Sequence, residues 1–205
     1  MSFENNVFIN CPFDQEYTPL LQTLVFTVIY LDLNPHLSQT VSSSSIRINQ
    51  IKQHIKACKF GIHDLSRSKA MQKGEFPRFN MPYELGLDIG ASEFGSKNLK
   101  TKKILILDSE RYSYQKVLSD IAGQDISAHN NDPKTLVLRI RNWISNNRKN
   151  IPPSHNEIWI AFNQFTDDIT LTLNKKYANL NLSELTIGDY CKFAKDWIAN
   201  FKTGK

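Results

Sequence analysis

Lys103–Asp108 reads KILILD, an unbroken apolar run closed by a carboxylate. A run with no polar alternation belongs to a strand covered on both faces, as in the middle of a parallel sheet. Working outward, two earlier segments have the same character. Asn6–Asn10 (NVFIN) is a short buried strand ended by Pro12, and Lys59–Asp64 (KFGIHD) is a third strand. Between them Thr18 and Pro19 form a cap and a first helical residue. Leu20, Leu21, Leu24, Val28 and Leu31 then recur at helical spacing, and Asn34-Pro35 stops the run. A weak second strand is expected over His36–Val41. Ser42–Ser45 is a polar loop, with Ser45 placed to cap a helix carrying Ile48, Ile51, Ile55 and Cys58 on one stripe.

Beyond Asp64 the stretch 67–79 holds Lys, Arg, Gly and Pro with few apolar residues and reads as a mobile surface loop. Pro82 opens a helix through about Ser92, with Leu85, Ile89 and Phe94 on one side. After KILILD, Tyr114–Ile121 is expected to be helical and Asp125–Ala128 a short edge strand. Pro133 to Asn147 is a helix with Leu136, Ile140, Trp143 and Ile144 as its core face. Strands alternating with helices predict an α/β fold, a flavodoxin-like doubly wound parallel sheet. A break at Ile151-Pro152-Pro153-Ser154 divides residues 1–150 from a small C-terminal helical extension, 151–205. The extension holds two helices, Asn156–Lys176 and Ile187–Lys202. A unit this short must pack on the main domain or on another copy.

Composition narrows the class. The 205 residues are 40% hydrophobic and 22% charged, enough for one sizeable core. The longest apolar stretch, Leu20–Leu33, is interrupted and falls short of the ~20 residues of a spanning helix. MSFENN has no basic stretch before an apolar run, so no secretory leader or membrane association is expected. Cys11, Cys58 and Cys191 are widely spaced without CxxC pairing. No metal site or disulfide framework is expected, and a reducing cytoplasm fits. The net charge of +5 is mild. It predicts solvated basic faces and, at most, attraction of anionic nucleotides. Nucleic acid is not an expected partner except through another protein.

Parallel sheets bind ligands beyond the carboxyl ends of their strands, where strand order reverses. That rule singles out the loops after Asn10, Asp64 and Asp108. Glu84, in FNMPYELG, stands near a helix start. It is either a helix-start carboxylate stabilised by the macrodipole or a ligand-facing acid. The preceding FNMP is not a solvated loop sequence, and Gly86 suits a helix poorly unless something approaches closely. Asp64 and Ser66 can hold a ribose or a base edge, or simply form a turn. His63 reads as a strand residue facing a helix. Asn10, Pro12, Phe13 and Asp14 turn sharply off the first strand, and Phe13 is either a stacking surface or a core aromatic. Arg47 can clamp a phosphate or lie exposed at its helix start. Asn80 and Tyr83 flank Glu84. Neither GxGxxG nor GxxxxGK[ST] occurs, so a dinucleotide fingerprint and a P-loop are excluded.

Taken together, FINCPFD, HDLS, NMPYELG and KILILD resemble the nucleoside 2-deoxyribosyltransferase-like and TIR-like group across residues 5–145. By that resemblance Pro12 and Phe13 match the turn after the first strand, Asp64 the base-binding Asp, and Glu84 the nucleophile. Both groups cleave an N-glycosidic bond, and many prokaryotic relatives resemble toxic effectors of antiphage defence. The chain departs from the pattern where Met81-Pro82 replaces a Gly-Thr pair and where Cys11 replaces a small residue. Loop 67–79 and the C-terminal helices have no counterpart in the transferases. The resemblance implies an N-glycosidase or (deoxy)ribosyltransferase with NAD or a nucleotide as substrate and no separate cofactor. It further implies a homo-oligomer or larger defence complex, with the C-terminal helices as assembly surface. The rival implication is a non-catalytic TIR-like nucleotide sensor or adaptor using the same loops.

Overall fold

The alternation is realised as a five-stranded, all-parallel sheet. The protein is described by a computed structural model over residues 2–37, 46–67, 74, 76–112, 118–121, 126–177 and 180–204. Its strands are β1 (Asn6–Asn10), β2 (Asn34–Leu37), β3 (Phe60–Asp64), β4 (Lys103–Asp108) and β5 (Ile126–Ala128). They lie in the order β2-β1-β3-β4-β5. This is the flavodoxin-like order, and the direction of winding reverses between β1 and β3. Val7 registers with Phe60, and Ile62 with Leu105.

Among the described residues there are six α-helices: α1 (Thr18–Tyr30), α2 (Arg47–Ala57), α3 (Asn80–Phe94), α4 (Pro133–Asn147), α5 (His155–Lys176) and α6 (Ile187–Thr203). Strand residues alternate between the two faces. Val7, Ile9, Phe60, Ile62, Leu105 and Leu107 join a core with α1, α4, α5 and α6. Phe8 packs with Ile51 and Ile55 of α2, and Ile106 with Met81 and Leu85 of α3. The two helices of 151–205 therefore pack into the main core rather than presenting their apolar stripes outward. The same two helices explain why α1 is apolar on every side. It lies between the sheet and a second helical layer, where Phe26 stacks on Phe165 at 5.2 Å and meets Phe162 edge-on at 5.4 Å.

Helix starts follow their caps where a side chain is available. Asp132, Ser154 and Thr186 accept from the backbone N–H three residues on, opening α4, α5 and α6. Ser154 thus turns the Ile151–Ser154 break into a helix start. Among the described residues no helix is long and apolar enough to cross a membrane.

Several local expectations are corrected. Thr18 is the first residue of α1, not its cap, because a 3-10 turn over Gln15–Tyr17, capped by Asp14, precedes it. Strand β2 includes Asn34 and Pro35, expected only to stop a helix. It is an edge strand, where a missing N–H is tolerated. Cys58 lies just past the end of α2, and Ile46 takes the cap position without a side-chain bond. Helix α3 begins at Asn80, two residues before Pro82, whose missing N–H is harmless in a first turn. The expected strand over 38–41, the serines 42–45, the helical stretch 114–117, Asp125 and most of loop 67–79 lie outside the described residues. Ser119–Ile121, at the end of that helical stretch, is a 3-10 turn.

Candidate functional site

Asn10 ends β1 with its side chain buried. Its Nδ2 donates to the Met81 carbonyl at 2.9 Å, tying the strand end to the first turn of α3. The same nitrogen lies 3.0 Å from His63 Nδ1. A carbonyl can only accept, so the amide nitrogen is correctly placed as donor and His63 Nδ1 accepts. His63 Nε2 then donates to Asp88 Oδ2, 2.9 Å away on α3. Asp88 Oδ1 faces Lys102 Nζ at 3.1 Å, with neither side chain exposed. Lys102 also donates to the carbonyls of Ile55, at 2.9 Å, and Cys58. Gly61 makes room for this chain of contacts. A Cβ there would stand 2.3 Å from Asp88 Oδ2. His63 is thus the helix-facing strand residue its position predicts.

Glu84 lies one turn before Asp88 on the inward side of α3. It is only 3% exposed, and its Oε2 has no hydrogen-bond partner among the described residues. Burial lifts its carboxyl from 4.5 to about 7, partly opposed by the positive charge of Arg47. Glu84 falls after the first turn of α3, which holds no acid. The helix-start explanation is therefore removed, since the dipole acts within that turn. Cys11 is enclosed beside it, and burial pushes its thiol up, reinforced by the charges of Asp64, Glu84 and Asp14. A thiol held protonated in this way is no nucleophile.

Asp64 is fully buried at the end of β3. Tyr17 Oη donates to its Oδ2 at 2.5 Å, and His129 Nε2 lies 3.0 Å from the same oxygen. Its Oδ1 accepts from the Ser66 backbone N–H at 2.9 Å and from the Ser66 hydroxyl. Burial would raise this carboxyl, but His129, Ser66 and Tyr17 outweigh it and hold Asp64 below the usual range. His129 Nδ1 accepts from Asn131 N–H at 3.1 Å. Its single proton is therefore on Nε2, shared between Asp64 and Ser66 Oγ at 3.0 Å. A histidine that donates to the serine cannot take the serine's proton, so these three residues are not a nucleophilic triad. Asp64 and Ser66 brace the loop ends and offer no open carboxylate.

The remaining expected residues divide between frame and rim. Asp14 accepts from Arg67 through both oxygens, at 3.2 and 3.1 Å. Burial acts upward on its carboxyl, but the Arg67 guanidinium prevails and holds it low. Pro12 is buried and Phe13 half-buried against the main core, so Phe13 is a packing residue. Arg47 begins α2, exposed, on the side of Glu84. Asn80 and Tyr83 are exposed in the first turn of α3. The structure thus places Arg47 and Asn80 about the nearly enclosed Glu84, over a frame of Asn10, Asp14, Asp64 and Ser66, while Tyr83 stands on the outer side of α3 and is not brought to Glu84. Gly86 does not admit a close approach from within the chain, since a Cβ there would meet nothing within 4 Å. Sequence reasoning missed Tyr17, His129, Asp88, Lys102 and Arg67. Asp88, four residues after Glu84, and His129, directly after β5, were findable by position.

Comparison with protein-family profiles, with curated proteins and with solved structures finds no match for this chain. Among the described residues no group of His, Cys, Asp and Glu is arranged to hold a metal ion.

Proposed function

We propose that this chain cleaves the N-glycosidic bond of NAD or of a nucleoside or nucleotide, by hydrolysis or ribosyl transfer, with Glu84 as the essential carboxylate. One observation carries the reading. At the reversal of strand order, a nearly enclosed carboxyl has an oxygen without a partner among the described residues and a pKa of about 7. An acid kept this way is costly to the fold and useful to chemistry. In such a cleavage the C–N bonding pair leaves with the base, and the sugar carbon becomes cationic. A carboxylate at that carbon either bonds to it or holds its charge, and water or an acceptor hydroxyl completes the reaction. The attraction grows as positive charge develops, so it favours the transition state over the bound substrate. Arg47 offers a phosphate contact and Asn80 a hydrogen bond. Unrestrained cleavage of NAD is toxic to its own cell, which suits an effector of antiphage defence.

The test is release of free base from NAD and from a panel of nucleosides and nucleotides, followed by chromatography. Release by the native protein and its loss in Glu84→Gln support the reading. No release from any of these, or full release by Glu84→Gln, sinks it. A second reading, a non-catalytic nucleotide-sensing module, is favoured by the internal commitment of Asp14 and Asp64. Calorimetry showing nucleotide binding without turnover would select it.

A further inference from the structure

The outer side of α3 is apolar, and apart from Leu87, which packs on the cluster of Phe8, Ile51 and Ile55, its large side chains are left exposed. Phe79 stands immediately before the helix. It is 67% exposed, Tyr83 57% and Phe94 91%. At 100° per residue these three, with Leu87 and Gly90, share one stripe roughly 22 Å long. Gly90, like Gly86, has nothing within 4 Å of an added Cβ. Each mid-helix glycine weakens α3 relative to alanine, and no contact inside the chain accounts for either. Beside Phe94 a cleft of about 270 Å³ opens between α2 and α3, lined by Ile55, Leu87, Gly90, Ala91 and Leu99 among others.

We propose that this outward face of α3 is a two-fold interface between copies of the chain. The patch carries both a projecting aromatic, Phe94, and an apolar recess beside it. An isologous contact requires both shapes on one surface. The flanks agree. Lys52 and Lys56 border the cleft on the α2 side, and exposed Glu93 lies on the other side of the stripe. A two-fold axis running along α3 sets each copy's Glu93 against the other's lysines. The three aromatics leave roughly 400 Å² uncovered, about half of what each partner of a standard interface buries. The cleft walls and the glycine surface add to it. This interface is independent of the proposed reaction, and it replaces the C-terminal helices as the surface for self-assembly.

Sedimentation velocity and small-angle scattering over a micromolar concentration series test it. The full chain is expected to dimerise. Phe94→Ser removes a side chain that supports nothing within the chain, and should raise the dimer dissociation constant about tenfold or more. Gly90→Leu is the second probe. Its new side chain enters open space in the monomer, so thermal stability is kept or raised, while the recess is filled and dimerisation lost. A monomer throughout the series overturns the proposal in favour of a different partner. So does a dimer that both variants leave intact. Base release does not enter any of these readouts, so failure here leaves the reading of Glu84 standing.

Discussion

Asn10 Nδ2 and the Met81 carbonyl, 2.9 Å apart, join the end of β1 to the first turn of the helix that carries Glu84. The same amide sets the tautomer of His63. Asn10→Leu removes both bonds and leaves His63 Nδ1 buried without a donor, while the Met81 carbonyl keeps only its intrahelical bond. The orphaned acceptor costs about 1–3 kcal/mol. Urea denaturation should show a loss of that order or greater. Any base-release activity should fall further than stability does, because the start of α3 loses its anchor.

Glu84 makes stability depend on pH in a defined direction. Between 4.5 and about 7 the folded protein holds a proton that the unfolded chain has already lost. Stability is therefore greatest below 4.5 for this group and declines as pH rises through about 7. Glu84→Gln abolishes that decline. At pH 8 the variant should be more stable than the native protein by about 2–3 kcal/mol, with the gap closing toward pH 4.5. Chemical denaturation at a series of pH values measures it. A variant less stable at pH 8 would contradict a buried carboxyl raised to about 7.

The same ionisation governs the proposed reaction. A nucleophilic or charge-stabilising Glu84 must be deprotonated, so kcat/KM should rise with pH through about 7 and level off above it. A profile flat from pH 5 to 9 would exclude Glu84 as the acting carboxylate.

Two glycines on neighbouring elements should respond oppositely. In Gly61→Ala the new methyl carbon meets Asp88 Oδ2 at 2.3 Å within a buried ion-paired network. A loss of about 2–4 kcal/mol is expected. In Gly86→Ala the methyl meets open space, and the helix gains about 0.5–1 kcal/mol. Thermal melts of the two variants suffice to compare them.

Asp88 and Lys102 form a buried pair at 3.1 Å. Lys102→Met alone leaves buried Asp88 with His63 as its remaining side-chain partner and should cost about 3–5 kcal/mol. The double change Asp88→Leu with Lys102→Met should cost less than the single one. Comparing the denaturation midpoints of the two variants decides it.

How much of this was legible depends on how local each cause is. KILILD, NVFIN and FGIHD announced three adjacent central strands because burial on both faces leaves no room for polar alternation. The place of Glu84 near the start of a helix beyond β3 followed from the segment FNMPYELG itself. Its environment did not, because the unpartnered oxygen depends on what α2, β1 and α3 leave around it. Asp64 shows the converse. Its place after β3 suggested a ligand contact, yet Tyr17 and His129 arrive from distant parts of the chain to occupy it. Phe13 was ambiguous in sequence and resolved by packing against the main core. Gly61 gave no sign of its importance, since only the approach of Asp88 from α3 makes it necessary.

Helix α1 also imposes an order of events on synthesis. It follows the first strand, while its outer cover arrives with α5 and α6. Phe26 waits for Phe162 and Phe165, and the end of α1 waits for Lys202, which donates to the Tyr30 carbonyl at 2.9 Å. At ~5–20 residues per second, roughly 8–30 s separate α1 from α6 at the ribosome. Through that interval the nascent chain carries an uncovered greasy helix and is a natural client for chaperones. A stop codon anywhere before α6 would release a product that aggregates rather than a shortened but working protein.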